Sequence, residues 1–216
     1  MESRKIRLLL ELRSQGISDT QVLGAIEKVP REAFIENTFQ DQAYENIALP
    51  IGSGQTISQP FVVATMTSAL NVGPRMKVLE VGTGSGYQAA ILSHLCRRIY
   101  TIERYRELSN YASIRFQKLR LSNIVQQVGD GNMGWHTQAP FNRIIITACA
   151  PEIPGPLVDQ LQNDGVMVLP LLDSVTRNQN LMRISKNSKG QICEEKLMRV
   201  RFVPLLPGIA KVTNSK

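Results

Sequence analysis

Three glycines, two hydroxyls and several carboxylates in this sequence are spaced so that they could act together. Gly82, Gly84 and Gly86 alternate directly behind the apolar run Val78-Leu79-Glu80-Val81, and Ala89, Ala90, Ile91, Leu92 and Leu95 follow them. Apolar residues at strand length, then glycines, then a helical apolar run predict a strand–turn–helix unit. In doubly wound sheets such a unit gathers ligands at the carboxyl ends of the strands. Glycine lets the backbone approach a ligand because no Cβ intervenes, and the free N–H groups of a helix start favour anionic groups. Glu103 lies 21 residues after Gly82, where an acidic side chain can accept both hydroxyls of a ribose. Asp130, in Gly129-Asp130-Gly131, could accept from the exocyclic amine of an adenine; the same three residues also read as a plain Asp-Gly turn. Thr56 and Ser58 offer hydroxyls in a loop upstream. Ser58 reads either as a cap for the helix after Pro60 or as a donor that orients an acceptor carboxylate. Only His94 and His136 occur in the chain, and neither is near Ser58, so a serine-nucleophile triad has little support. Cys149 reads as a buried thiol rather than a nucleophile.

The elements that must position these groups can be followed along the chain. Ile6, Leu9, Leu10 and Arg13 keep helical spacing up to Gly16; Ser18 with Gln21 forms a capping box for a second helix carrying Val22, Leu23 and Ile26, which Pro30 ends. A short third helix over Arg31–Phe39 completes a preface of residues 1–45. Residues 46–60 read as an active-site loop, followed by a helix over Phe61–Leu70. Strands are predicted over Ile99–Ile102, Ile124–Val128, Arg143–Thr147 and Gly165–Pro170, with helices over Leu108–Leu119 and from Pro154 to Leu161 between them. Two last strands, Leu181–Ser185 and Glu194–Val203, have only the Lys186–Gly190 turn between them. Alternating strands and helices predict a parallel sheet, and the closing pair an antiparallel edge. Residues 61–206 thus form an α/β core with a tail over 207–216, in a single domain of 1–216.

At 216 residues, with 43% hydrophobic and 20% charged residues, the composition is that of one ordinary globular domain. The net charge of +7 and pI near 9.5 admit acidic ligands or nucleic acid without choosing between them. Cys96, Cys149 and Cys193 form no C-x-x-C pair, which argues against a disulfide framework or a metal site. The charged leucine-rich start has no h-region of a signal peptide, so a reduced cytoplasm without membrane association is expected.

The glycine spacing is G-x-G-x-G, with Tyr87 where a dinucleotide fingerprint would have its third glycine. With Glu80 ahead of it, the pattern resembles the first motif of S-adenosylmethionine-dependent methyltransferases. Ala48-Leu49-Pro50-Ile51-Gly52-Ser53-Gly54-Gln55-Thr56-Ile57-Ser58-Gln59-Pro60, Val78–Tyr87, Gly129-Asp130-Gly131 and Val200-Arg201-Phe202-Val203-Pro204-Leu205 together resemble the protein-L-isoaspartate O-methyltransferase family over nearly the whole chain. The resemblance implies a Rossmann-like methyltransferase sheet with rearranged last strands, and methyl transfer from S-adenosyl-L-methionine to the α-carboxyl of L-isoaspartyl residues in damaged peptides and proteins. It implies Ser58 and Thr56 as catalytic. Glu80, Gly82, Thr83, Gly84, Ser85, Gly86, Glu103, Asp130, Gly131 and Ala148 would bind the cofactor. Gln59, Val200, Arg201, Phe202 and Val203 would bind the substrate, and no metal is implied. The rival readings are a nucleic-acid methyltransferase and a non-catalytic module that binds adenosyl ligands. Thr147-Ala148-Cys149-Ala150-Pro151 lacks the Asn/Asp-Pro-Pro-aromatic run of amino-methylating enzymes, which weighs against the first. Thr56 and Ser58 weigh against the second. No dimerisation pattern appears, so a monomer is expected.

Overall fold

The computed structural model describes residues 2–211. The chain begins with α1 (Glu2–Ser14) and α2 (Thr20–Lys28), then a hairpin of β1 (Leu49–Gly52) and β2 (Gln55–Ile57), and α3 (Pro60–Leu70). The α/β part follows as β3 (Lys77–Val81), α4 (Tyr87–Ser93), β4 (Arg98–Glu103), α5 (Arg106–Lys118), β5 (Ile124–Val128), β6 (Phe141–Ile146) and α6 (Gly155–Gln160). It closes with β7 (Leu161–Leu172), β8 (Gln179–Lys186) and β9 (Ile192–Val200).

Seven strands form one sheet in the order β5-β4-β3-β6-β7-β8-β9. β3 is central because Val78, Leu79 and Val81 need cover on both faces, and all three are buried. It pairs in parallel with β4 (Leu79 opposite Tyr100) and with β6 (Leu79 opposite Ile144). From β3 the chain first builds outward through β4 to β5, then returns to add β6 on the other side. That reversal opens a crevice at the carboxyl ends of β3 and β6, where doubly wound sheets take ligands. The last three strands run as an antiparallel meander, so the antiparallel edge holds and the final strands keep chain order. One face of the sheet is covered by the N-terminal helices and by α3, α4 and α5, with Leu12, Ile26, Phe34, Met66, Ile91 and Phe116 in one buried cluster. On the other face Tyr100 packs edge-on between Trp135 and Phe141, at 5.4 and 5.8 Å between ring centroids. The preface therefore shares its core with the sheet. No described helix is long and apolar enough to cross a membrane.

Several local expectations change. The cap of α2 is Asp19 rather than Ser18: its Oδ1 accepts from the N–H groups of Gln21 and Val22 at 2.9 and 3.1 Å. A carboxylate one residue closer satisfies two orphan donors that a serine box would share with Gln21. The third helix is two 3₁₀ turns, Arg31–Phe34 and Asn37–Gln42. The 46–60 loop contains the β1–β2 hairpin, in which Leu49 faces Ile57 and the turn passes through positive φ at Gly52, Ser53 and Gly54. The strand expected over Glu194–Val203 ends at Val200, because the main chain of Phe202 bonds the Gln179 side chain at 2.6 and 3.1 Å instead of a strand. Val203 then turns to Cys149, whose N–H it accepts at 2.8 Å. Of the tail, residues 207–211 are held down by bonds from Gly208 to Asp130 and from Ala210 to Arg104; Val212–Lys216 lie outside the described residues.

The Asp19 cap yields a direct expectation. Asp19→Ala should lower stability by about 1 kcal/mol, read by urea denaturation, whereas Ser18→Ala should leave the midpoint unchanged.

Candidate active site

A cavity of about 200 Å³ opens at the carboxyl ends of β3, β4 and β6. Its floor is the glycine turn. Gly82 has φ +96°, and a Cβ there would come within 2.3 Å of Thr147 Oγ1. The Thr147 hydroxyl donates to the Gly82 carbonyl at 2.6 Å, and the Gly82 N–H reaches the Ile102 carbonyl at 2.8 Å. The turn is thereby sewn to the strands on both sides. Gly86, also at positive φ, packs where a Cβ would strike the Phe116 ring at 2.7 Å; it shapes the turn without reaching the cavity wall. Gly82, Thr83, Gly84, Ser85 and Tyr87 all reach the wall.

Glu103 ends β4 on the wall, 4% exposed. Its Oε2 accepts the Gly84 N–H at 2.7 Å and its Oε1 the Tyr105 N–H at 3.0 Å. Burial pushes its pKa up, and those two N–H groups, with the amide and charge of Arg104, pull against that rise. A carboxylate has about four lone-pair sites. The two left over can accept a pair of vicinal hydroxyls.

Glu80 does not share this role. It is wholly buried under the turn and absent from the wall. The Thr101 hydroxyl is hydrogen-bonded both to Glu80 Oε2 and to the Thr83 hydroxyl, the latter at 2.6 Å. Burial, reinforced by the Glu103 charge, raises the Glu80 pKa to about 8, although Thr101 and the Ala89 amide oppose the shift. The expected cofactor ligand is instead a neutral acid that supports Thr83 through Thr101.

Asp130 is also off the wall, while Gly131 is on it. Asp130 Oδ1 caps Asn132 at 2.9 Å and its Oδ2 accepts the Gly208 N–H at 2.7 Å. Burial would raise its pKa, but the Gly208 and Asn132 donors and Arg104 outweigh that and hold it low. A Cβ at Gly131 would meet Val81 Cγ1 at 2.3 Å, so this glycine lets the chain lie against β3.

Thr56 and Ser58, at the end of the hairpin, also line the cavity. Ser58 does not cap α3: the N-cap position is Gln59, whose side chain makes no cap bond, and Asn46 Oδ1 takes the Phe61 N–H at 2.9 Å. Gln59 is off the wall. So are Val200, Arg201 and Phe202; of the expected substrate strand only Val203 reaches the cavity, joined by Pro204, Leu205 and Leu206. The reason is the early end of β9, after which residues 203–205 bridge to Cys149 in parallel. Ala148 lies on the wall as expected, and Cys149 is a buried thiol whose pKa burial raises. Thr147, Gln88 and Leu206 carried no advance signal; Tyr87 did, standing where a dinucleotide fingerprint has glycine.

The buried acid makes a pH prediction. An unfolded glutamate ionises near 4.5, whereas Glu80 in the fold holds its proton to about 8. Between those values the folded chain binds the extra proton, so its stability falls as pH rises and levels off above 8. Glu103 adds a fall of the same sign. In urea melts from pH 5 to 8, Glu80→Gln should therefore lose less stability than the parent chain; equal slopes would show that Glu80 ionises normally.

The comparisons with known proteins agree with this geometry. The family model described as protein-L-isoaspartate(D-aspartate) O-methyltransferase matches residues 3–209. A protein-L-isoaspartate O-methyltransferase of Parvibaculum lavamentivorans is 58% identical over 211 residues, covering 97% of this chain and 95% of the relative. One from Paramagnetospirillum magneticum is 58% identical over 208 residues, 96% of this chain and 97% of that one. Among solved structures, a protein-L-isoaspartate O-methyltransferase superposes with a TM-score of 0.84 at 25% identity, over 93% of this chain and 65% of that chain. A Plasmodium falciparum structure described as the same enzyme, in complex with S-adenosyl-L-homocysteine, gives 0.81 at 25% identity over 93% and 97%. The chain belongs to the protein-L-isoaspartate(D-aspartate) O-methyltransferase family.

Proposed function

We propose that this cavity methylates the α-carboxyl of L-isoaspartyl residues in damaged peptides and proteins, with S-adenosyl-L-methionine as donor, and that Ser58 orients the acceptor. The ester so formed closes to a succinimide as the main-chain nitrogen displaces methanol, and hydrolysis of the ring returns some normal aspartate beside isoaspartate. The observation that carries this reading is that the hydroxyl-bearing hairpin and the glycine turn with Glu103 line a single cavity.

The residues fit such a cofactor. The two spare acceptor sites on Glu103 suit a ribose, and Gly82, Gly84 and Gly131 line the wall with main chain that a ligand can meet directly. Thr83, Gly84, Ser85 and Ala148 would complete the cradle, with Asp130 beside it. Bound there, the cofactor supplies an electrophilic methyl group on a sulfonium. A carboxylate acceptor is already ionised at neutral pH, so the chain need not supply a strong base; neither His94 nor His136 lies on the wall. What remains for the protein is positioning and exclusion of water. The Ser58 hydroxyl, free of any capping duty, would donate to one carboxylate oxygen and turn the other toward the methyl group. Thr56 would assist from the same loop.

Peptide main chain would run along the outer side of β9, which is the sheet's edge strand, toward Val203. Pairing of main chain to main chain accepts many flanking sequences, which suits a repair enzyme whose substrates share only the lesion. The working unit is taken as a monomer. The free thiols of Cys96, Cys149 and Cys193 suit the cytoplasm.

Transfer of labelled methyl groups to an isoaspartyl peptide and to its aspartyl twin tests the reading. Only the isoaspartyl form should be labelled; equal labelling of both would overturn it. In the same assay Ser58→Ala should slow single-turnover transfer by roughly 10- to 100-fold, the scale of an acceptor misplaced by about 1 Å. Cofactor affinity and melting temperature should be preserved. A lower melting temperature with normal turnover would remove Ser58 from the chemistry.

A further inference from the structure

The reaction leaves one buried charge without a task. Arg31 is 0% exposed, and neither ion pair among the described residues includes it. A guanidinium stays protonated inside proteins, and burying an unpaired charge is costly unless dipoles or rings replace the lost water. Burial alone draws the Arg31 pKa down. Apolar filler of similar volume would avoid that cost.

What surrounds Arg31 is specific. Its Nη2 donates to the Ser58 carbonyl at 2.9 Å and to the Ile47 carbonyl at 3.3 Å. Its guanidinium carbon lies 4.8 Å from the centre of the Tyr87 ring, whose face attracts a cation. Its Nε and Nη1 are buried and reach no acceptor. Ile47 precedes β1 and Ser58 follows β2, so one nitrogen holds both ends of the hairpin. Tyr87 is the first residue of α4, immediately beyond the glycine turn. Both Ser58 and Tyr87 stand on the cavity wall, and Arg31 lies behind them. The side chain therefore clamps the hydroxyl loop against the element that carries the cofactor turn.

We propose that Arg31 is a positioning residue for methyl transfer, fixing the span between the Thr56–Ser58 loop and the Gly82–Gly86 turn. It acts through the Ser58 carbonyl and the Tyr87 ring and touches neither reactant. The proposal rests on the reading of this cavity as the methyl-transfer site. The spread of the guanidinium is essential to it: a lysine's compact ammonium could bond one carbonyl but could not also keep a delocalised cation over the ring.

The test uses the full chain and single-turnover methylation of an isoaspartyl peptide. S-adenosyl-L-homocysteine affinity is measured by calorimetry as the control. Arg31→Met should slow transfer by about 10- to 100-fold, with affinity changed less than about threefold. Arg31→Lys should fall in between. The double variant Arg31→Met/Ser58→Ala should be little slower than the slower single, because both changes loosen the same contact. Parent-like turnover in Arg31→Met, even with a lower melting temperature, would make the residue merely structural and overturn the proposal. So would rate losses that multiply in the double variant. If Arg31→Met does not fold, Arg31→Lys decides: several-fold slower transfer at unchanged affinity supports the proposal, and parent-like transfer overturns it. Normal transfer in Ser58→Ala beside slow transfer in Arg31→Met would sink the role of the Ser58 hydroxyl and leave the clamp standing. No labelling by the parent chain would sink the function itself.

Discussion

The closeness of β3 and β6 where both strands end governs the rest of the molecule. The Thr147 hydroxyl occupies the space that a side chain on residue 82 would need, and bonds the Gly82 carbonyl from there. With a Cβ at residue 82 the Thr147 hydroxyl would have to leave this place and give up its bond to the Gly82 carbonyl. With the strand ends this close, the chain leaves β3 at positive φ and brings the Gly84 N–H onto Glu103. The crevice created by strand order thus becomes a floor of backbone. The hairpin rests on the same turn, with Ile51 Cδ1 at ordinary contact distance from the Gly84 position.

Two acids stand close to that floor, Glu80 beneath it and Glu103 on the wall. Glu80 is surrounded by protein and held neutral near physiological pH, while Glu103 at the wall keeps donors on both oxygens. Two ionised carboxylates so near one another would repel. Keeping the deeper one protonated removes that repulsion and leaves its hydrogen bonds to order Thr101 and Thr83. The acidic residue of the motif is therefore a support for the turn, and the acid at the end of β4 stands on the cavity wall.

Most of the α/β frame is legible in the sequence because buried parallel strands declare themselves as apolar runs. Val78–Val81 and Ile144–Ile146 stand where expected, and so does the half-buried edge strand Ile124–Val128. What is not legible depends on partners distant in sequence. The β1–β2 hairpin hides behind Pro50 and three turn residues, and its strands are too short for alternation to show. The end of β9 is set by Gln179 and Cys149, neither of them a local signal. Ser58 reads as a plausible cap until Asn46, twelve residues earlier, is seen to hold that place. Arg31 looks like any charged residue after a proline; only packing shows it sealed behind the wall.

The wall of the cavity draws on residues from Gly54 to Leu206. During synthesis the hairpin, the glycine turn and Glu103 all leave the ribosome long before Val203–Leu206 do. Domains can begin folding while the chain is still being made, but this one has no complete binding surface until residue 206 has emerged. A nascent or clipped chain that stops short of it keeps the hydroxyl loop and lacks that part of the wall. The last contributors to the cavity wall are thus among the last residues made.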